Sequence, residues 1–325
     1  MKYKFEIICM LLIVGLFVLT QVVGNQFYFF IGFVILQYMV MATAWNILGG
    51  YGGYVNFGSA GFLATGAYTA VALINFLDVG LVEQMIAGGI VAGALGLATG
   101  YLTLRLRGVY FAIATLALAI ILETVVAHWS YVGGAAGTSI LPKRKPEFLG
   151  ELIVDRKTGV FANYKEYLFF LMGTVAIISV WVARYIENSK LGRGLNAIKD
   201  SEEAAECMGV PTLRLKLIAT TISGAMMGVA GAPLASYLTF IDPLSAFNLE
   251  YAINAIAMPM IGGTVSWAGP VIGALLLGTA QQVSSLWIQS ELNLLIVGVV
   301  LVVFVIIAPE GIIGWFRKSR QGSGR

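Results

Sequence analysis

Glu187–Val210, ENSKLGRGLNAIKDSEEAAECMGV, is a polar island between stretches that read as lipid-buried helices. Its pattern is too regular for a spare linker. Leu191, Leu195 and Ile198 recur at helical spacing. Asp200 is placed to cap a second short helix, with Glu203 three residues on as in a capping box, and Gly209 and Pro211 stop that helix. Ala204, Ala205 and Met208 give it a small apolar patch. Two short helices with small apolar faces, held outside a membrane, form a docking element for a soluble partner.

Outward from the island the chain is written for lipid. Of 325 residues 58% are hydrophobic and 11% charged, against about 25% charged in a soluble domain. Crossing the hydrocarbon takes roughly 20 apolar residues. Spans are expected near Ile7–Val23, Phe27–Leu48, Phe57–Leu77, Glu83–Leu104, Val109–His128, Tyr167–Ile186, Leu215–Ile241, Tyr251–Ile261, Val271–Ile288 and Leu292–Ala308. The expectation is an all-α polytopic membrane protein of about ten helices, with Tyr251–Ile261 too short to cross unaided. The whole of 1–325 then reads as a single transmembrane domain; the resemblance given below makes it a permease domain.

Basic residues orient it. Placing Lys2, Lys4, Arg105, Arg107, the Arg184–Lys216 group and Arg317–Arg325 inside leaves only Lys143, Arg144, Lys145, Arg156, Lys157 and Lys165 of the 20 Lys and Arg outside. This is the positive-inside arrangement. It puts both termini in the cytoplasm, 129–166 in an extracytoplasmic loop and 187–214 in a cytoplasmic segment. Met1–Gly24 has the outline of a signal peptide, but its apolar core is longer than a usual h-region, so it reads as an uncleaved first span. Cys9 in that span and Cys207 in the island make an implausible disulfide pair. The net charge of +3 reports the positive-inside bias and no nucleic-acid partner.

Some chemistry is excluded. The chain has no Gly-Lys pair, hence no phosphate-binding P-loop, and a single histidine, His128, hence no two-histidine zinc site. His128 beside Trp129 reads as an interfacial residue. No nucleophile, base and orienting group can be assembled, so no catalytic residue is assigned and the chain is not read as an enzyme. Glu123 is the main carboxylate within a predicted span, about one turn from its outer end. It suits a proton relay less well than a side chain reaching the surface. The chain reads as the membrane half of a machine whose energy comes from elsewhere.

Two glycine-dense breaks interrupt the spans, Ile47–Gly61 (ILGGYGGYVNFGSAG) and Ile261–Pro270 (IGGTVSWAGP). Freed backbone in lipid is tolerated only where it is buried in protein or lines a cavity, and paired breaks mark a substrate path. The candidate path residues are Asn46, Gly49, Gly50, Tyr51, Gly52, Asn56, Gly58, Ser59, Asn254, Gly262 and Gly263. The breaks read equally as turns between closely packed helices. Small residues in Ile86–Gly100 and Gly224–Ala235 let helices approach closely.

Four stretches together resemble the M-type permease subunit of the branched-chain amino-acid ABC importers. They are Asn46–Ala70, Arg105–Glu123 (RLRGVYFAIATLALAIILE), Ser189–Val210 running on to Ala232, and Met260–Ala274 followed by Ala308-Pro309-Glu310-Gly311. The outer Gly133–Thr138 run matches loosely, the insertion Pro142–Asn163 is long and charged, and Ser59 stands where the family carries a histidine in a Gly-His-Ala sequence. The resemblance implies a second, H-type permease subunit, two ATP-binding-cassette ATPases holding ATP and Mg, a periplasmic binding protein, and residence in a bacterial or archaeal cytoplasmic (inner) membrane. This chain itself would hold no cofactor and no metal. The resemblance makes the island the ATPase-coupling segment, with Gly192, Arg193, Ala197 and Ile198 in its first part and Asp200, Glu203, Ala204, Ala205, Met208 and Gly209 in its second. The implied solute is small and amphipathic, a branched-chain or other apolar amino acid, moved by alternating access. The competing reading is a self-sufficient channel or ion-coupled carrier for a small neutral solute such as urea or a short amide.

Overall fold

A computed structural model describes residues 4–285 apart from 24, 78 and, between 141 and 162, all but 147–148, 151–152, 154 and 160–161; beyond 285 it describes 298–299, 302 and 311–314. The chain is an all-α polytopic membrane protein. Among the described residues seven helices are long and apolar enough to cross a membrane: α1 (Lys4–Val22), α2 (Gln26–Gly52), α3 (Ser59–Phe76), α4 (Leu81–Thr103), α5 (Val109–Ala127), α6 (Tyr164–Glu187) and α9 (Thr212–Leu238). Between α6 and α9 lie the short helices α7 (Lys190–Asp200) and α8 (Glu202–Cys207). After α9 come α10 (Pro243–Ala246), α11 (Leu249–Gly262) and α12 (Ala268–Ser284). Two-residue strands β1 (Thr138–Ser139) and β4 (Phe240–Ile241) pair antiparallel, as do β2 (Glu147–Phe148) and β3 (Glu151–Leu152). The expected span Leu292–Ala308 and the clusters Lys143–Lys145 and Arg317–Arg325 lie wholly or almost wholly outside the described residues.

Small residues set the centre of the bundle. A Cβ on Gly66 of α3 would stand 2.1 Å from the Gly228 carbonyl oxygen of α9, and one on Gly228 would stand 2.4 Å from that of Gly88 on α4. Three backbones therefore touch where larger side chains would hold them apart, as the small-residue runs predicted. Around them Phe33, Met41, Trp45, Leu63, Met172 and Met227 are buried in one apolar cluster.

The bundle has two distinct ends. At the strand end, β1 and β4 tie the segment after α5 to the end of α9. At the island end, α7 and α8 pack beneath the tips of α2, α4, α6 and α9, burying Leu195 and Ile198 with Tyr51, Tyr54 and Leu104.

Helix boundaries depart from expectation at both breaks. α2 runs through Gly49, Gly50 and Gly52, and the helix ends only at Gly53, whose φ of 75° is the left-handed region that glycine takes without strain. The glycines upstream serve close packing: Gly49 lies against the Trp45 ring and Gly50 against Asn46 and the Thr264 carbonyl. α11 likewise includes Gly262, so its break is confined to residues 263–267.

Candidate functional site

The island folds as its spacing implies, with one correction. Ser189 caps α7, its Oγ accepting from the amides of Leu191 (3.1 Å) and Gly192 (3.3 Å). The cap of α8 is Ser201, which accepts from the Ala204 amide, while Asp200 is the last residue of α7. Serine caps as well as aspartate does, and it sits one residue nearer the helix. Glu203 is consequently free of capping and pairs with Arg107 at 3.1 Å. Gly209 closes α8 with a φ of 80°.

The island presents two different faces. Toward the bundle, Gly192, Leu195, Ile198 and Ala205 are buried. Toward solvent stand Arg193, Ala204, Cys207 and Met208, the last 84% exposed.

Its inner face is bonded to both glycine breaks. Lys199 Nζ donates to the Gly50 carbonyl at 2.8 Å, satisfying a carbonyl at the α2 C-terminus. At the foot of α6, Glu187 Oε2 accepts from the Trp267 amide at 2.7 Å and from the Tyr51 hydroxyl at 3.4 Å, so one carboxylate touches both breaks. Its charge also suits the N-terminal end of α12. Arg184, one turn back, stacks on Phe5 (3.8 Å to the ring centre) and Trp267 (5.4 Å).

A second junction joins α8 to the link between α2 and α3. Lys216 on α9 is buried and donates to Glu202 (2.6 Å), the Tyr54 hydroxyl (3.0 Å) and the Leu104 carbonyl (3.2 Å). Tyr54 in turn donates to Glu202, and Arg107 stands 3.6 Å from the same carboxylate. Every donor of the buried ammonium has a partner, which is the condition for burying a charge. Burial works to raise the Glu202 carboxyl. The hydrogen bonds from Lys216 and Tyr54, with the charges of Lys216 and Arg107, override it and hold it below the ordinary carboxylate value. Glu202, Lys216 and Tyr54 do not stand out in the sequence. A Lys near the start of an apolar span and an acidic residue in the island are the only signal.

Of the candidate path residues, Asn46, Gly49, Gly50, Tyr51, Gly52, Asn56, Gly58, Ser59, Asn254, Gly262 and Gly263 are all buried within this chain. Asn254 Oδ1 accepts from Gln281 Nε2 of α12 at 2.8 Å. Asn56 is built into the link: its carbonyl accepts from the Trp45 indole (2.8 Å) and its Oδ1 from the Gly58 amide (2.7 Å). The structure thus brings Gly50, Tyr51 and Gly52 to the island end, sets Asn56 deeper beside Trp45, and leaves Asn254 with α12. Glu123 lies on α5 beside a recess lined by Phe57, Ile120, Phe247 and Asn248.

The model of the family "branched-chain amino acid transport system / permease component" matches residues 27–305. The chain is 29% identical over 308 residues to the high-affinity branched-chain amino acid transport system permease protein LivM of Salmonella typhimurium, covering 88% of this chain and 71% of that one. It is 24% identical over 288 residues to the corresponding LivH of Escherichia coli, covering 85% and 91%. A probable LivH of Methanocaldococcus jannaschii is 25% identical over 287 residues, covering 82% and 85%. No solved structure matches the chain.

Proposed function

The chain belongs to the branched-chain amino acid transport system permease family, and from that premise we propose that it is the membrane-spanning subunit of an ATP-driven importer. The solute is a branched-chain or other apolar amino acid. The partner permease is of the H type, the engines are two ATP-binding-cassette ATPases carrying ATP and Mg, and a periplasmic binding protein delivers the solute. The membrane is the cytoplasmic membrane of a bacterium or archaeon. About ten spans put both termini on the cytoplasmic side, where the positive-inside rule directs the island.

One observation carries this reading. The island is a two-faced plate, with Ala204, Cys207 and Met208 open to solvent above and hydrogen bonds to both glycine breaks below. An ATPase seated on the open face moves the plate as a body, because α8 is tied to α9 and the link through Lys216 and Glu202. Gly192, Arg193, Ala197, Ile198, Asp200, Glu203, Ala205 and Gly209 shape or flank that plate. The motion reaches the tips of α2, α6 and α12 together. A fully inverted two-state equilibrium needs about 5.5 kcal/mol of differential binding, which nucleotide-driven closure supplies through this contact.

The test is to purify the tagged chain from native membranes in mild detergent, identify what comes with it and reconstitute the assembly. The reading predicts two Walker-motif ATPases, a second permease and ATP-dependent leucine accumulation in vesicles. A stable oligomer of this chain alone, conducting solute without ATP, would make it a channel or carrier.

A further inference from the structure

Two recesses open on one face of the bundle and meet at a single side chain. Toward the island end, a recess of about 610 Å³ is lined by Tyr54, Val55, Phe57, Arg107, Lys199 and Glu202 among others. Toward the strand end, one of about 360 Å³ is lined by Phe57, Leu116, Ile120, Glu123, Phe247 and Asn248 among others. Phe57 lines both.

This face is not made for lipid. The link 53–58 is non-helical, and its Gly53 and Val55 are exposed. It is also deep: the Asn56 carbonyl bonds Trp45, which lies seven residues before the end of α2, or ~10 Å along the helix axis. Irregular backbone at that depth is found only against protein or a water-filled cavity. Glu123, about one turn from the end of α5, lines the outer recess on the same face.

The ring at the junction is held in place. The Phe57 amide donates to Thr115 Oγ1 of α5 at 3.1 Å. The preceding carbonyl is fixed to Trp45 and the following amide to the Asn56 side chain. A half-buried aromatic is thus presented on a backbone anchored to α2 and α5.

We propose that Phe57 is the constriction of the solute path, separating the two recesses, and that the H-type permease subunit closes the other side of the path. The proposal rests on the importer reading above. Relatives of that type match 85% of this chain and 91% of their own length, so such a subunit carries the same elements and can offer the equivalent face about a pseudo-twofold axis. The lining chemistry suits an amphipathic solute: a carboxylate, Glu123, in one recess, the charged set Lys199, Arg107 and Glu202 in the other, and an apolar ring between them for the aliphatic side chain.

The experiment uses the reconstituted complex of both permeases, the ATPases and the binding protein, with labelled leucine. Phe57→Ala should raise ATP-independent leucine equilibration by about tenfold, and Phe57→Trp should cut ATP-driven uptake by a similar factor while ATP hydrolysis persists. Both variants moving leucine as the wild type does, without leak, would overturn the constriction. A wild-type complex that never accumulates leucine would instead overturn the importer reading beneath it. A second measurement is independent of Phe57 substitution. In a Cys207→Ser background, an impermeant thiol reagent should reach Val55→Cys only from the island side and Leu244→Cys only from the other. Labelling of either from both sides in the nucleotide-free complex would contradict a closed constriction.

Discussion

The two glycine breaks share a composition but form different objects. In the second, α11 and α12 pack backbone against backbone. A Cβ on Gly262 would stand 1.8 Å from the Gly269 oxygen, one on Gly269 1.6 Å from the Gly263 oxygen, and one on Gly273 1.8 Å from the Met258 oxygen. The break is a tight corner with Trp267 packed outside it against Phe5 and Arg184. In the first, the glycines sit within or at the end of α2, and the link beyond them is pinned at Asn56 and Phe57 but exposed at Gly53 and Val55. The residues just after the glycines decide the outcome. Both links are short, 263–267 and 53–58, but in the second the Trp267 ring packs on Phe5 and Arg184, whereas in the first the half-buried Phe57 ring stands between two recesses. Glycine density alone marks where helices are interrupted and says little about which interruption borders a cavity.

The sharpest way to break this comparison is to add the same methyl group to each side. Gly269→Ala should abolish recovery of monodisperse protein, since a backbone carbonyl cannot step aside and overpacking on this scale costs about 3 kcal/mol or more. Gly52→Ala places its Cβ 3.4 Å from a Leu195 methyl, an ordinary contact, and should hold or raise the melting temperature, with up to about 1 kcal/mol of helix propensity gained. Equal losses for the two would erase the distinction.

Next in size is the junction beneath the first break. Lys216→Met strips the buried partner from Glu202, whose side chain is 12% exposed, and should cost about 3 kcal/mol by thermal unfolding. The double variant Lys216→Met/Glu202→Gln should recover part of the loss, because no unpaired charge remains. Strict additivity of the two single changes would show that the pair does not act as a unit.

The same pair sets a pH dependence. Because the folded-state value of Glu202 lies below the ordinary 4.5, its contribution is complete above that value and is lost as pH falls through the lower one. The stability gap between wild type and Glu202→Gln should therefore stay flat between about pH 8 and pH 5 and narrow only in stronger acid. A gap that closes near neutrality would place the carboxyl elsewhere. The smallest effect belongs to the carboxylate that touches both breaks: Glu187→Gln keeps a hydrogen-bond acceptor for the Trp267 amide and the Tyr51 hydroxyl but removes the charge from the α12 N-terminus, worth up to about 1 kcal/mol. Thermal shift resolves it, and a loss as large as that of Lys216→Met would make Glu187, and not the Lys216–Glu202 pair, the main tie between the island and the breaks.

Much of the architecture is legible in the sequence, for physical reasons. Apolar length announces helices in lipid, and small residues at four-residue spacing announce close packing; both are local patterns. The island is readable because Leu191, Leu195 and Ile198 keep helical period in an otherwise polar stretch. Its inner bonds are not, because Glu202, Lys216 and Tyr54 are separated by up to 162 positions and meet only through the fold. Asp200 and Ser201 are both good caps, and spacing alone does not separate neighbours, so the choice between them falls to the backbone. Phe57 lies within the first break but is not singled out there: an aromatic in an apolar chain is ordinary until its surroundings place it between two recesses.

The central claim is that the open face of the island seats an ATPase. Cys207 is exposed on that face, whereas Cys9 is buried in α1, so a photoactivatable maleimide can be attached at the native residue without mutagenesis. Crosslinking in native membranes should capture a Walker-motif ATPase on this chain, and Ala204→Trp, one turn away, should abolish that adduct and uncouple hydrolysis from uptake. A chain that is labelled at Cys207 but yields no ATPase adduct, or transport that survives Ala204→Trp, would contradict the account.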